Sequence, residues 1–146
     1  MSGEACPMPS YGRGSDADAI ARMLGAGRIA IVGLSDDPSR VSHQIGSSLR
    51  AAGFTIVPVN PTHETVMGMK SYPRLQDVPG EIDLVNVFRR SEFCADVTRD
   101  AIEKGAKGVW LQAGIRNEEG RKLAQAAGID FVQDRCIMVE HMQRRG

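Results

Sequence analysis

The residues best suited to chemistry lie in one stretch, Gly33-Leu34-Ser35-Asp36-Asp37-Pro38-Ser39-Arg40. It follows a short apolar run, Ile29-Ala30-Ile31-Val32-Gly33, and precedes a segment with helical spacing. A glycine after a strand permits a tight turn, and the first turn of the next helix offers unpaired backbone N–H groups that favour an anion. Ser39 can add a hydroxyl, and Arg40 a fork of guanidinium donors, to the same phosphate. The plainer alternative makes Ser39 a helix cap and Arg40 a solvated surface residue. The strand–glycine–turn–helix context favours the phosphate. The chemistry indicated is holding an anion, not breaking bonds.

Two later segments have the same placement at a strand end. Phe88-Arg89-Arg90-Ser91 follows the apolar run from Ile82 to Val87 and offers an aromatic face, two cations and an expected N-cap, Ser91. Neighbours near a strand alternate faces, so Arg89 and Arg90 cannot both point inward. A lone Phe at such a position is more often core than ligand contact. Gln112-Ala113-Gly114-Ile115 brings an amide and a backbone-exposing glycine after the next strand.

The pattern is not the nicotinamide-dinucleotide fingerprint. In place of G-x-G-x-x-G, Ser35 and Pro38 stand where the second and third glycines would. The second strand ends Val57-Pro58-Val59-Asn60-Pro61, with no acid at its tip to hold ribose hydroxyls. No Ser/His/Asp set, metal-ligand cluster or G-x-x-x-x-G-K-[ST] loop is visible either.

The elements that must position these residues alternate. Helices are expected over Asp16 to Leu24, with Ser15 as N-cap, then over Ser39 to Ala52, Glu92 to Lys104 and Glu118 to Ala127, and over a short stretch from Cys136 to Met142. Strands are expected at Ile29 to Gly33, Phe54 to Val59, Ile82 to Phe88, Gly108 to Gln112 and Ile129 to Val132. Pro58 cannot donate a ladder bond, so it belongs near a strand end or a bulge. The stretch Asn60 to Gly80 reads as loop, with one short strand near Met69 to Tyr72 and a helical turn near Leu75 to Val78. Alternating strands and helices predict an α/β, Rossmann-like, doubly wound and mostly parallel sheet with helices on both faces. One domain is expected over residues 15–146, after a Pro- and Gly-rich lead-in, residues 1–14, expected to be disordered.

Composition narrows the function classes. The 146 residues carry 18 Lys+Arg against 18 Asp+Glu, so no global field draws nucleic acid or an anionic membrane. The basic pairs Arg89-Arg90 and Arg144-Arg145 are short, and the second reads as a solvated tail. No apolar run reaches the roughly 18 residues of a membrane span. Three cysteines, Cys6, Cys94 and Cys136, lack C-x-x-C spacing and suit a reducing cytoplasm.

Six ordered motifs together resemble a known family. They are Gly33-Leu34-Ser35, Pro38-Ser39-Arg40, Val57-Pro58-Val59-Asn60-Pro61, Val87-Phe88-Arg89-Arg90-Ser91, Trp110-Leu111-Gln112-Ala113-Gly114-Ile115, and Asp134-Arg135-Cys136-Ile137 through Glu140-His141. Over about Asp16 to His141 the chain resembles the stand-alone CoA-binding domain proteins, relatives of the N-terminal domain of the succinyl-CoA synthetase alpha subunit. The resemblance implies a fold holding coenzyme A or an acyl-CoA. It implies that Gly33, Ser35, Ser39 and Arg40 line the phosphate and pantetheine path. Asn60, Pro61, Phe88 and Arg89 would flank the nucleotide end, and Gln112 and Gly114 would close the other side. Where the synthetase has a CoA-gripping lysine after its second strand, this chain has His63.

The synthetase's phosphorylated histidine belongs to a second domain absent from this sequence, so His43, His63 and His141 inherit no catalytic role. His43 is placed early in a helix and His141 near the end of one. Cys136, near a helix start, is open between a reactive thiol suited to a mixed disulfide with CoA and a small hydrophobe. Cys94 is read as the latter. The expected function is CoA or acyl-CoA binding without catalysis by the chain alone. Two alternatives stand beside it: a subunit or fragment of an acyl-CoA ligase or transferase working with a partner, and a nucleotide-responsive regulator. A protein partner or a homo-oligomer is compatible with each.

Overall fold

Continuous apolar runs of four to six residues, too short for a helix and too uniform for a half-exposed strand, become strands buried on both faces. In the computed structural model, which describes residues 16–145, the elements run α1 (Asp16–Met23), β1 (Arg28–Val32), α2 (Val41–Ala51), β2 (Thr55–Val59), β3 (Thr65–Val66), β4 (Met69–Lys70), β5 (Leu84–Val87), α3 (Cys94–Lys104), β6 (Gly108–Leu111), α4 (Glu118–Ala127), β7 (Asp130–Val132) and α5 (Ile137–Arg145). Five strands form one sheet in the order β2-β1-β5-β6-β7, every pair parallel. The chain is α/β and Rossmann-like, as expected. Ser15, the lead-in and Cys6 lie outside the described residues.

Strand residues alternate between two cores. Val32, Val59, Val85, Val87, Val109 and Leu111 face Val97 and Ala101 of α3. Ile29, Ile31, Ile56, Leu84 and Trp110 face Ile20 of α1, Leu49 of α2 and Ile137 of α5. Polar staples fix the amino ends of the strands. Asp83 accepts the backbone N–H groups of Gly27 and Arg28 at 3.1 and 3.0 Å. Arg22 of α1 grips Asp130 of β7 with two bonds of 3.0 and 2.7 Å. Pro58 is the penultimate residue of β2, an edge strand, where its missing N–H costs no ladder bond.

Strand order reverses between β1 and β5. The chain leaves β1, forms the edge at β2, then returns past β1 to lay β5 on its far side. This topology opens a crevice outside the carboxyl ends of β1 and β5, the expected ligand position in such sheets.

Four local expectations are corrected. The stretch after β2 holds not one short strand but a hairpin, β3 with β4, turned by Met67 and Gly68 at φ 54° and 78°. Two consecutive positive φ values make this the tight hairpin turn that suits strand twist. Met67 is an unusual residue there, and its N–H is secured by Asp36 Oδ1 at 2.8 Å. Ser91 does not cap α3; it opens a 3-10 turn, Ser91–Phe93, and its Oγ accepts the Arg116 N–H at 3.2 Å. His141 lies in the middle of α5, not near its end, because the helix runs on to Arg145. Arg144 is exposed as expected but belongs to α5 rather than a loose tail: it pairs with Glu140 at 3.7 Å and donates to the Ala17 carbonyl at 3.2 Å.

Among the described residues no helix is long and apolar enough to cross a membrane, and no group of three His, Cys, Asp or Glu is placed to hold a metal ion.

Candidate functional site

The crevice is built around Gly33. Its φ is +90°, and a Cβ there would meet the Phe88 carbonyl oxygen at 2.8 Å. Only glycine lets the tips of β1 and β5 approach this closely. Its N–H reaches the Val59 carbonyl at 2.9 Å, tying the β1 tip to β2. Asn60 continues the tie. Its Nδ2 donates to the Leu34 carbonyl at 3.0 Å, while its Oδ1 accepts from Thr62 N and Oγ1 at 2.9 and 2.7 Å. The Asn60 side chain therefore shapes the site by bracing two loops.

The loop from Ser35 to Arg40 is ordered by its own side chains. Ser35 Oγ accepts the Asp37 N–H at 3.0 Å, Ser35 N–H donates to Ser42 Oγ at 3.0 Å, and His43 Nδ1 lies 3.1 Å from the Ser35 carbonyl. Asp37 accepts both the N–H and the hydroxyl of Ser39, at 2.9 and 2.8 Å. These bonds, the backbone one foremost, hold its carboxyl below the usual range, helped by the charges of Arg40 and His43. Ser39 thus serves Asp37 and does not cap α2. The N-cap position falls to Arg40, with no side-chain cap bond. The Arg40 side chain is exposed and has neither hydrogen bond nor ion pair among the described residues, though its charge acts on Asp37. Arg40 and the first turn of α2 follow the β1 tip in the chain, at the carboxyl edge of the sheet.

A cleft of about 460 Å³ occupies the carboxyl ends of the sheet and brings together Gly33, Asn60, Pro61 and Arg89. Val97 and Asp100 of α3 form part of its wall. A second cleft of about 690 Å³ shares Pro61, Thr62 and Pro73 and extends past His63 to Lys70 and Ser71. The Arg89 guanidinium stacks 4.9 Å from the Phe93 ring centroid. Phe88 turns to the opposite face and packs half-buried on the core beneath α2 and α5. Arg90 is exposed.

The remaining pair stands apart from this cleft, at the tip of β6. Gln112 is buried, and its Oε1 accepts Ile137 N–H at 3.0 Å and Asn86 Nδ2 at 3.2 Å, so it fixes the start of α5 to the sheet. Gly114, at φ +86°, is exposed and donates its N–H to Asp134 Oδ1 at 2.7 Å. Sequence reasoning passed over Asn86, whose signal is a polar residue inside an apolar strand. It also passed over Arg74, which was hidden in a presumed loop and lines the cleft.

Cys94 is buried against the Arg89 and Arg90 carbonyls, and burial pushes its thiol up to about 11 despite the Arg89 charge. Cys136 is half-exposed just before α5. His63 shares a 2.9 Å contact with Thr62 Oγ1 on the second cleft. His141 stacks edge-on against Phe54, with ring centroids 5.3 Å apart, and its Nε2 is buried without a partner.

Comparison with known proteins fits this geometry. A family model described as a CoA binding domain matches residues 27–142. The chain is 43% identical to the Bacillus subtilis protein YneT over 114 residues, covering 78% of this chain and 84% of that one. It is 34% identical to the 4-hydroxybutyrate–CoA ligase [ADP-forming] of Nitrosopumilus maritimus, across 80% of this chain but only 18% of the ligase. It is 29% identical to the alpha subunit of acetate–CoA ligase [ADP-forming] II of Pyrococcus furiosus, across 75% of this chain and 26% of that one. The chain therefore spans 18% of that ligase and 26% of that alpha subunit. A solved protein structure from Pyrococcus horikoshii OT3 superposes with a TM-score of 0.85 at 35% identity, covering 97% and 99% of the two chains. With its switch-point crevice, its glycine at the β1 tip and a family match over most of its length, the chain belongs to the CoA binding domain family.

Proposed function

We propose that the protein binds coenzyme A or an acyl-CoA reversibly in the crevice at the carboxyl ends of β1, β2 and β5, and that it catalyses nothing alone. The observation that carries this reading is the pairing of an uncapped α2 N-terminus and an Arg40 with no hydrogen bond or ion pair among the described residues with an open cleft on the same sheet edge. Helix N–H groups and a guanidinium suit a diphosphate, and the cleft beside Gly33, Asn60, Pro61 and Arg89 suits the nucleoside. Ser35 and Ser39 shape the loop between them. Gln112 and Gly114, farther along the edge, bound the path at the β6 tip. The setting is the cytoplasm.

The ligases that share this domain are several times longer, which supports a second reading. The chain would then present bound CoA to a partner protein that supplies the reactive groups. Either way, the isolated chain should show no sustained release of CoA from acetyl-CoA or succinyl-CoA.

Thermal denaturation with CoA, NAD or NADP at matched concentrations tests the reading. A ligand at a hundred times its dissociation constant stabilises the folded state by about 2.7 kcal/mol, and each kcal/mol moves the midpoint of a domain this size by roughly 2–4 °C. CoA should raise the midpoint by about 5–11 °C by that arithmetic, and NAD by much less. No shift with CoA, in protein shown to be free of bound ligand, refutes the proposal.

A further inference from the structure

Arg74 stands where the end of the second strand meets the cleft, and the backbone holds it there. The residues before it run alongside β2: Tyr72 N–H donates to the Pro58 carbonyl at 3.1 Å, and Asn60 N–H donates to the Tyr72 carbonyl at 2.9 Å. Tyr72 bridges Val59, and Ser71 Oγ donates to the Asn60 carbonyl at 3.3 Å. The segment is thus an extra extended edge fixed beside the β2 tip, and two residues later Arg74 lines the cleft. Its side chain is exposed and has neither ion pair nor hydrogen bond among the described residues. Arg89 lines the same cleft from the β5 tip, and Asp100, carried by α3, is the one carboxylate on the wall among the described residues.

In sheets of this topology the tip of the second strand faces the adenosine ribose. An acid there accepts the ribose hydroxyls, whereas a nearby arginine accommodates a phosphate esterified to the ribose. The β2 tip here ends in Asn60, whose side-chain oxygen is already committed to Thr62 and whose amide is committed to Leu34. No acceptor is left for free ribose hydroxyls at that residue, and an unpaired cation waits beside it. We infer that Arg74 is a specificity residue that selects ligands carrying a phosphate on the adenosine ribose, with Arg89 as the second cation across the cleft. This rests on the proposed CoA reading and deepens it: the 3′-phosphate of CoA becomes the group recognised, and dephospho-CoA the discriminated analogue.

Titration calorimetry of the full chain with CoA, dephospho-CoA and NADP tests the inference, using wild type, Arg74→Gln and Arg74→Lys. Wild type should prefer CoA to dephospho-CoA by about ten- to a hundredfold, the range of a charge-assisted hydrogen bond. Arg74→Gln should erase that preference while leaving dephospho-CoA affinity within about twofold of wild type, and Arg74→Lys should restore part of it. An unaltered dephospho-CoA affinity also shows that the variant is folded. Equal wild-type affinities for CoA and dephospho-CoA, or a preference that survives Arg74→Gln, overturns the assignment but spares CoA binding. Failure of both CoA and dephospho-CoA to bind overturns the CoA reading itself, as does an Arg74-dependent preference for NADP over CoA.

Discussion

Replacing Gly33 by alanine isolates the close approach that builds the crevice. Two costs arise. An L-residue at φ +90° is strained by about 1–2 kcal/mol. The new methyl would also sit 2.8 Å from the Phe88 carbonyl oxygen, a backbone atom that cannot swing aside, and such overpacking costs about 1–3 kcal/mol more. Gly114→Ala supplies the control, because Gly114 has a similar φ of +86° but nothing within 4 Å of the added carbon. At roughly 2–4 °C per kcal/mol, Gly114→Ala should lower the melting midpoint by about 2–8 °C and Gly33→Ala by about 4–20 °C. Differential scanning calorimetry of both variants measures the gap. In folded Gly33→Ala protein, CoA affinity should also fall by about tenfold or more, since relieving the clash moves the β5 tip that carries Arg89. Equal midpoints for the two variants would refute the reasoning, because the Phe88 contact would then carry no energy.

The charge and thiol groups give three further outcomes. Arg40→Ala should leave the melting midpoint unchanged, since the side chain is exposed with no hydrogen bond or ion pair among the described residues, yet weaken CoA binding by about ten- to a hundredfold in a calorimetric titration. Asp83 is held below the usual carboxylate range by the Arg28 N–H first, against its desolvation, with help from the Gly27 N–H and Lys107. Its folded pKa lies below its unfolded one, so its stabilisation is full above the unfolded value and disappears as pH falls through the folded one. Wild type should therefore exceed Asp83→Asn in urea stability by about 1 kcal/mol near neutrality, after discounting for exposure, and the difference should shrink progressively once the pH falls below the ordinary carboxylate range. At pH 8 a thiol with its pKa near 11 is only about one-thousandth thiolate, so iodoacetamide should label Cys136 well before Cys94 in the native protein, as read by peptide mass spectrometry.

What was legible in the sequence is what short-range physics dictates. The β1 and β5 runs announced themselves as buried strands because apolar residues, Asn86 aside, dominate both of their faces. The bounds of α4, Glu118–Ala127, were readable because Gly128, at φ 74°, ends the helix in a left-handed cap. The α2 start was displaced from Ser39 to Val41 because Asp37 claims the serine hydroxyl, a competition between neighbours that propensity alone does not rank. Ser91 is drawn from the expected capping role by partners far along the chain, Arg116 and Asn117. Asn117 Nδ2 reaches the Ser91 carbonyl at 2.7 Å while its Oδ1 caps Gly120 N–H, and that partnership spans 26 residues.

The candidate site divides along the same line. Gly33 was legible because one strained backbone angle needs one residue type. Arg74 was not, because its position depends on Tyr72 pairing with Pro58 and Asn60 across a segment that reads locally as loop. Gln112 shows the converse limit. Its place after a strand was legible, but its carbonyl is spent on Ile137 and Asn86, contacts between elements 25 and 26 residues apart. Residue type and strand-end position therefore nominate candidates, while hydrogen-bond partners decide which donors remain for a ligand. By that criterion the guanidiniums of Arg40 and Arg74 have no hydrogen bond or ion pair among the described residues, whereas Asn60, Ser39 and Gln112 act through the loops they brace.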